Sequence, residues 1–261
     1  MEITVVPKFK STLFLSLCLA GVPLSAGDRS NATAQDASEV TTEAVSFSLK
    51  RGEVLQIIAS DNREDGRQAR LDYYAKVLPL AQAEGYRRLA QLNVRESVIS
   101  DTQPDAFSFF AWPDEAAEKR FSQNPEWPAY KATRPEGWDE LSIYTAKLTE
   151  DLSLTFSPDK YYTVVVAWPD AETGADYTRY LEGIEPAVTR AGGRFIAKIY
   201  NPRFEAHASP DEAPGQLTFV EWDSLDGFRK VQKMPEYLAH RDYFASGLDR
   251  FEFHWMELAR F

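Results

Sequence analysis

Cysteine is almost absent from this chain: Cys18 is the only one in 261 residues. It falls in an N-terminal stretch expected to be removed, so the mature protein has neither a disulfide framework nor a thiol nucleophile. Histidine is nearly as scarce. His207, His240 and His254 have no partner His or Cys at ligand spacing, so no protein-built metal site is expected. The chain also lacks a Gly-rich phosphate loop, a paired-histidine metal helix and a nucleophile elbow, and no cofactor is expected from its motifs. Positive charge is short too: 29 Lys and Arg stand against 40 Asp and Glu, a net charge of −11. Such a surface repels phosphate backbones, so nucleic acid is not an expected partner.

Long apolar runs are missing, apart from Ser11–Val22, which follows Lys8 and Lys10 and precedes Pro23-Leu-Ser-Ala26. A basic start, a short apolar core and a small residue before the break give the layout of a secretory signal. The core is too short to span a bilayer comfortably. Residues 1–26 are therefore expected to be a signal peptide, with Ala32-Thr-Ala34 as a second cleavage site. Residues 27–43 are small and polar and read as a disordered linker. The mature protein is expected to be periplasmic or extracellular, with no membrane attachment after cleavage.

What the chain does have is the same text written twice. Val45-Ser-Phe-Ser-Leu49 aligns with Leu152-Ser-Leu-Thr-Phe156 at an offset of 107, which also pairs Tyr73 with Tyr180, Pro79 with Pro186 and Gly85 with Gly192. A loop three residues longer in the second copy moves the offset to 110. That offset pairs Trp112 with Trp222, Pro125 with Pro235 and Gly137 with Gly247. Two homologous repeats follow, 44–150 and 151–261.

Each repeat opens on an alternating strand, 45–49 or 152–156, and continues into a β-branched, aromatic strand, 54–58 or 161–166. A helix follows at 68–84 or 175–191, where Tyr177, Tyr180, Leu181, Ile184 and Val188 make an apolar stripe and Gly85 or Gly192 ends it. Strands at 87–94 or 194–200 and 106–112 or 216–222, a second helix broken near Pro125 or Pro235, and final strands at 141–145 or 251–256 complete the unit. The order is β-α-β-β-α-β after a leading strand. This predicts an α+β fold of two tandem ferredoxin-like (split βαβ) repeats. A lone repeat would expose one sheet face; two can pack their antiparallel sheets into a pseudo-dimeric α/β barrel. A monomer that imitates a dimer is expected.

Tyr177-Thr-Arg-Tyr-Leu-Glu-Gly-Ile-Glu-Pro-Ala-Val-Thr-Arg-Ala-Gly-Gly-Arg-Phe-Ile196, Val220-Glu-Trp-Asp-Ser224 and Met234-Pro-Glu-Tyr-Leu-Ala-His240 resemble a family of uncharacterised small bacterial proteins in the dimeric α/β-barrel (ferredoxin-like) superfamily. The first repeat departs, with Gly85-Tyr-Arg-Arg88 for Gly-Gly-Arg and Ala111-Trp112 for Glu-Trp. The resemblance implies the fold and leaves chemistry open, because relatives include oxygenases, isomerases, haem-degrading proteins and barrels of no known activity. In the haem-degrading relatives a histidine on the second helix binds iron. Here His240 is one residue out of phase and lacks its tryptophan and asparagine companions, and it reads as a helix-surface histidine.

Alternation puts Arg250, Glu252, His254 and Met256 on one face of the last strand, with Phe251, Phe253 and Trp255 on the other. It puts Arg194, Ile196, Lys198 and Tyr200 together, and Leu217, Phe219 and Glu221 together. Candidate acid–base residues are therefore His254 and Glu221, or His240. Candidate ligand contacts are Arg194, Tyr200, Trp222, Tyr180 and Arg250. Trp112, Trp127, Trp138, Trp168, Trp222 and Trp255 either line a pocket or fill the core. The corresponding first-repeat positions are blander: Ala111 stands for Glu221, and Tyr144 for His254. Three readings stay open. One is an exported protein binding a small apolar or aromatic molecule in the barrel of the second repeat. Another is a cofactor-independent oxygenase or isomerase acting on a small aromatic or polyketide-like substrate, in which His254→Ala abolishes turnover and leaves folding nearly intact. The third is an interaction protein without a pocket.

Overall fold

Alternating apolar residues decide the leading strands. In a computed structural model describing residues 43–209 and 212–260, β1 (Val45–Leu49) pairs antiparallel with β6 (Leu152–Phe156), Val45 opposite Phe156 and Leu49 opposite Leu152. Each leading strand thus pairs with its own copy. Ser46 Oγ meets Thr155 Oγ1 at 2.9 Å and Ser48 Oγ meets Ser153 Oγ at 2.8 Å on the outer face. Val45, Phe47, Leu49, Leu152, Leu154 and Phe156 face inward onto Phe109 and Tyr162 and cover one end of the barrel. The segments read as signal (1–26) and linker (27–43) lie outside the described residues, Glu43 excepted.

The first repeat continues with β2 (Val54–Asn62), α1 (Arg67–Ala83), β3 (Arg87–Ile99), β4 (Ala106–Trp112), α2 (Glu115–Ser122), α3 (Trp127–Ala132), α4 (Arg134–Gly137) and β5 (Trp138–Lys147). After β6 the second repeat has β7 (Tyr161–Pro169), α5 (Ala175–Arg190), β8 (Gly193–Tyr200), β9 (Arg203–Glu205), β10 (Gln216–Trp222), α6 (Gly227–Val231), α7 (Pro235–Gly247) and β11 (Leu248–Leu258). The repeat is visible in its contacts. A Cβ on Gly85 (φ 84°) would meet Pro113, and one on Gly192 (φ 79°) would meet Asp223, the partner of Pro113 at the offset of 110. In both places only glycine takes the left-handed turn that ends the helix beneath the strand.

Apart from β1 and β6, the strands form one antiparallel ladder in the order β8-β10-β7-β11-β3-β4-β2-β5-β9. The two repeats therefore join edge to edge. One seam is β11 on β3, from Phe253↔Ile99 to Leu258↔Leu92. The other is β5 on β9, Ile143–Thr145 against Arg203–Glu205. Because β9 follows β8 in the chain, the ladder returns to the segment where it began and closes a barrel. The fold is thus two tandem ferredoxin-like repeats closed into a pseudo-dimeric α/β barrel, as the pattern predicts.

The seams are unequal, and the cause is local. β3 runs unbroken through 13 residues, longer than the expected 87–94. Its counterpart is cut into β8 and β9 by Asn201, at φ 44°, and Pro202. Asparagine tolerates the left-handed region and proline offers no N–H to a ladder, so the strand breaks there. The same strand carries a bulge where β10 shifts register between Phe219 and Val220, passing from Ala197 to Phe195. Ile196 is the extra residue, and beyond it the faces exchange. Ala197 and Ile199 are buried in the barrel, while Lys198 and Tyr200 turn outward, Tyr200 to 59% exposure. The expected shared face of Arg194 and Tyr200 does not form.

Three apolar clusters result. Phe107, Phe109, Tyr144, Phe156, Tyr162, Phe219 and Met256 fill the barrel. Tyr177, Tyr180, Leu181, Ile184, Trp222 and Trp255 join α5 to the outer sheet face, and Val77, Tyr86, Trp112 and Phe121 do so in the first repeat.

Candidate functional site

At the end opposite the β1–β6 cap the interior turns from apolar to polar. A cavity of about 220 Å³ opens there, lined by Ser142 and Tyr144 of β5, Trp168 of β7, Phe204 of β9, Arg250 and Glu252 of β11, and Asp101, Thr102 and Ser209 from loops. Both repeats build it, along the short seam. Strand register explains the set: Arg250 lies opposite Trp168, Glu252 opposite Val166 and His254 opposite Val164, so one inward face of β11 descends from the mouth into the core.

Arg250 stands at the rim with its guanidinium 3.7 Å above the Trp168 ring and Nη1 3.6 Å from Asp101 Oδ2. Its Nε is buried and has no hydrogen-bond partner among the described residues. Trp168 is fixed in turn by donating from Nε1 to the Glu212 carbonyl at 3.0 Å. On the other wall Tyr144 and Phe204 stack with centroids 5.1 Å apart. Burial, and then the Glu252 charge, push the Tyr144 phenol well above its ordinary pKa, so it stays a hydroxyl donor.

Glu252 lies deeper, 7% exposed, and lines the cavity. Behind it His254 is fully buried against Phe107. Its Nδ1 is 2.9 Å from Ser97 Oγ across the long seam, and its Nε2 lies 3.5 Å from Glu252 Oε2 without a hydrogen bond. His207 and Ser209, which follow β9, are held against β5 beside the mouth. Buried Glu140 accepts from the His207 N–H at 3.1 Å and from both the backbone N–H and hydroxyl of Ser209. His207 Nδ1 accepts from the Leu141 N–H at 3.0 Å, which leaves its Nε2 to donate to the Trp138 carbonyl at 3.2 Å.

Of the residues singled out in the sequence, Arg250 reaches the cavity and His254 sits one layer beneath it. Glu221 does not join them; it hydrogen-bonds Arg194 at 3.1 Å where β10 meets β8. Trp222 and Tyr180 lie on the helix side of the sheet, Trp222 donating to Thr163 Oγ1 at 2.9 Å. His240 is neither a free surface group nor near the cavity. Its Nδ1 hydrogen-bonds the Glu236 carbonyl at 2.8 Å and its ring lies against Gly183 of α5. Of the six tryptophans only Trp168 lines the cavity. Glu252 shares the alternating face of Arg250 and His254, so the pattern that found them contained it. Phe204 of β9 and Ser209 lie between β8 and β10, in the stretch that is three residues longer in the second repeat, a length difference that marks this seam.

Among solved structures, an anthrone oxidase-like protein matches with a TM-score of 0.51 at 12% identity, over 82% of this chain and 94% of its own. A chlorite dismutase variant from Candidatus Nitrospira defluvii matches with a TM-score of 0.41 at 14% identity, over 80% and 93%. At 12% identity the likeness to the anthrone oxidase-like protein speaks for the fold alone. No family model and no curated protein matches the sequence.

Proposed function

We propose that this protein binds a small aromatic molecule carrying polar groups in the cavity between its repeats. The observation that carries this reading is the cavity itself: Trp168, Tyr144 and Phe204 enclose Arg250 and Glu252 in about 220 Å³. Concave aromatic walls with a few convergent polar groups are the usual make-up of a small-molecule site. The volume lies below the roughly 300–1,000 Å³ of drug-sized sites, so the ligand is of one or two rings. Mass spectrometry of protein purified without denaturation tests this. A co-purifying aromatic molecule displaced by Tyr144→Trp supports it, and a cavity that takes up no aromatic compound refutes it.

A second reading, an oxygenase or isomerase without a cofactor, draws on Glu252. A buried carboxylate facing the cavity, with the Tyr144 hydroxyl beside it, is placed to take a proton from a substrate while a donor steadies the resulting oxyanion. Under this reading Glu252→Gln abolishes turnover of a bound one- or two-ring phenol and leaves its binding in place. Export in monomeric form belongs to the same proposal. N-terminal sequencing of secreted protein, starting at residue 27, is the expected result.

A further inference from the structure

Glu252 is a carboxylate at the wall of a cavity, nine-tenths buried, and the His254 Nε2 that stands 3.5 Å from its Oε2 makes no hydrogen bond among the described residues. Burying a carboxylate without a counter-charge is strongly unfavourable. The one guanidinium lining the cavity, that of Arg250, is held at the rim, with Nη1 3.6 Å from Asp101 and its plane over Trp168, and its Nε is left without a hydrogen-bond partner among the described residues. Around the cavity the charged side chains are Asp101, Glu252 and Arg250, which leaves one negative charge in excess, the His254 ring aside. The net charge of −11 adds a long-range preference of the same sign. The aromatic walls, Tyr144 stacked with Phe204 and Trp168 opposite beneath Arg250, give the ligand's ring apolar neighbours.

We infer that the ligand of this site is a small aromatic amine, bound as its ammonium ion, with the charged nitrogen at Glu252 and the ring among Tyr144, Phe204 and Trp168. The inference rests on the reading of the cavity as a binding site and adds the sign of the ligand. Glu252 supplies the charge, the Tyr144 and Ser142 oxygens complete the ammonium's hydrogen bonds, and Arg250 at the rim repels a second cation. An aromatic acid in the same pose would place its carboxylate against Glu252.

Calorimetric titration of the full chain with phenethylamine, phenylacetate and phenethyl alcohol at neutral pH tests this directly, because the three share one skeleton. The amine is expected to bind at least about tenfold more tightly than the acid or the alcohol. The preference is expected to vanish in Glu252→Gln, and Arg250→Gln is expected to strengthen the amine and not the acid. Acid or alcohol binding as tightly as the amine overturns the inference and leaves the binding site standing, as does an amine preference that survives in a folded Glu252→Gln. Failure of all three compounds to bind overturns both. The comparison on the unaltered chain needs no variant, so a misfolded one does not blunt it.

Discussion

Ser97 of the first repeat and His254 of the second share a 2.9 Å hydrogen bond in the wall of the barrel, and the histidine has no exposed surface. The bond ties the long seam at the level where the core gives way to the cavity. A histidine in this position is part of the packing whatever else it does.

His254→Ala is therefore expected to lose about 2–4 kcal/mol of stability, the cost of a cavity beside Phe107. This replaces the expectation that folding would be nearly untouched. Ser97→Ala removes the hydrogen bond and little volume and is expected to cost about 1 kcal/mol. Urea unfolding of both variants checks the order, and equal losses would show that the hydrogen bond, not the packing, dominates.

Gly183 lies under the His240 ring, where a Cβ would overlap the imidazole. Alanine is the better helix former by about 1 kcal/mol, so propensity alone predicts that Gly183→Ala stabilises α5. The overlap reverses the sign, and a net loss of about 1–3 kcal/mol is expected. In a His240→Ala background the same change is expected to be neutral or stabilising. Thermal unfolding of the double-mutant cycle measures that coupling.

Glu140 ties His207 and Ser209 beside the cavity mouth. Burial raises its pKa, but hydrogen bonds from the Ser209 side chain and the His207 and Ser209 backbone outweigh this and hold it below the ordinary 4.5. A folded-state pKa below the unfolded one contributes stability that is complete above the ordinary value and is lost as pH falls through the folded value. Glu140→Gln is expected to be less stable than the natural chain at neutral pH by about 2 kcal/mol. The difference should begin to close only below the ordinary 4.5, as pH falls through the depressed folded value. Denaturation midpoints at neutral and acid pH decide it; a pH-independent difference would remove the carboxylate from this role.

Asn201 holds its left-handed conformation between β8 and β9, with its N–H donating to the Gly215 carbonyl at 2.8 Å. Asn201→Ala is expected to cost about 1–2 kcal/mol, and Asn201→Gly close to nothing. If the break serves to shape the mouth, a ligand of the cavity loses affinity in the alanine variant only. Unfolding and titration of the two variants side by side show both effects.

The sequence by itself determined the repeat, the order of its elements and the inward face of β11. Those follow from local rules, a period of two in strands and of three to four in helices, together with turn residues that recur at fixed offsets. Only the tertiary structure decided which residues meet. Glu221 and His254 share the right faces, yet they sit at different levels on strands separated by β7. Tyr200 left its expected face because one bulged residue inverts every side chain beyond it. The cavity lies along a seam between strands far apart in the chain, and closing that seam depends on Asn201, Pro202 and the three-residue β9. Periodicity fixes the direction of a side chain relative to its own strand. Its neighbours are set by register between strands, and register depends on bulges and closures that involve the whole barrel at once.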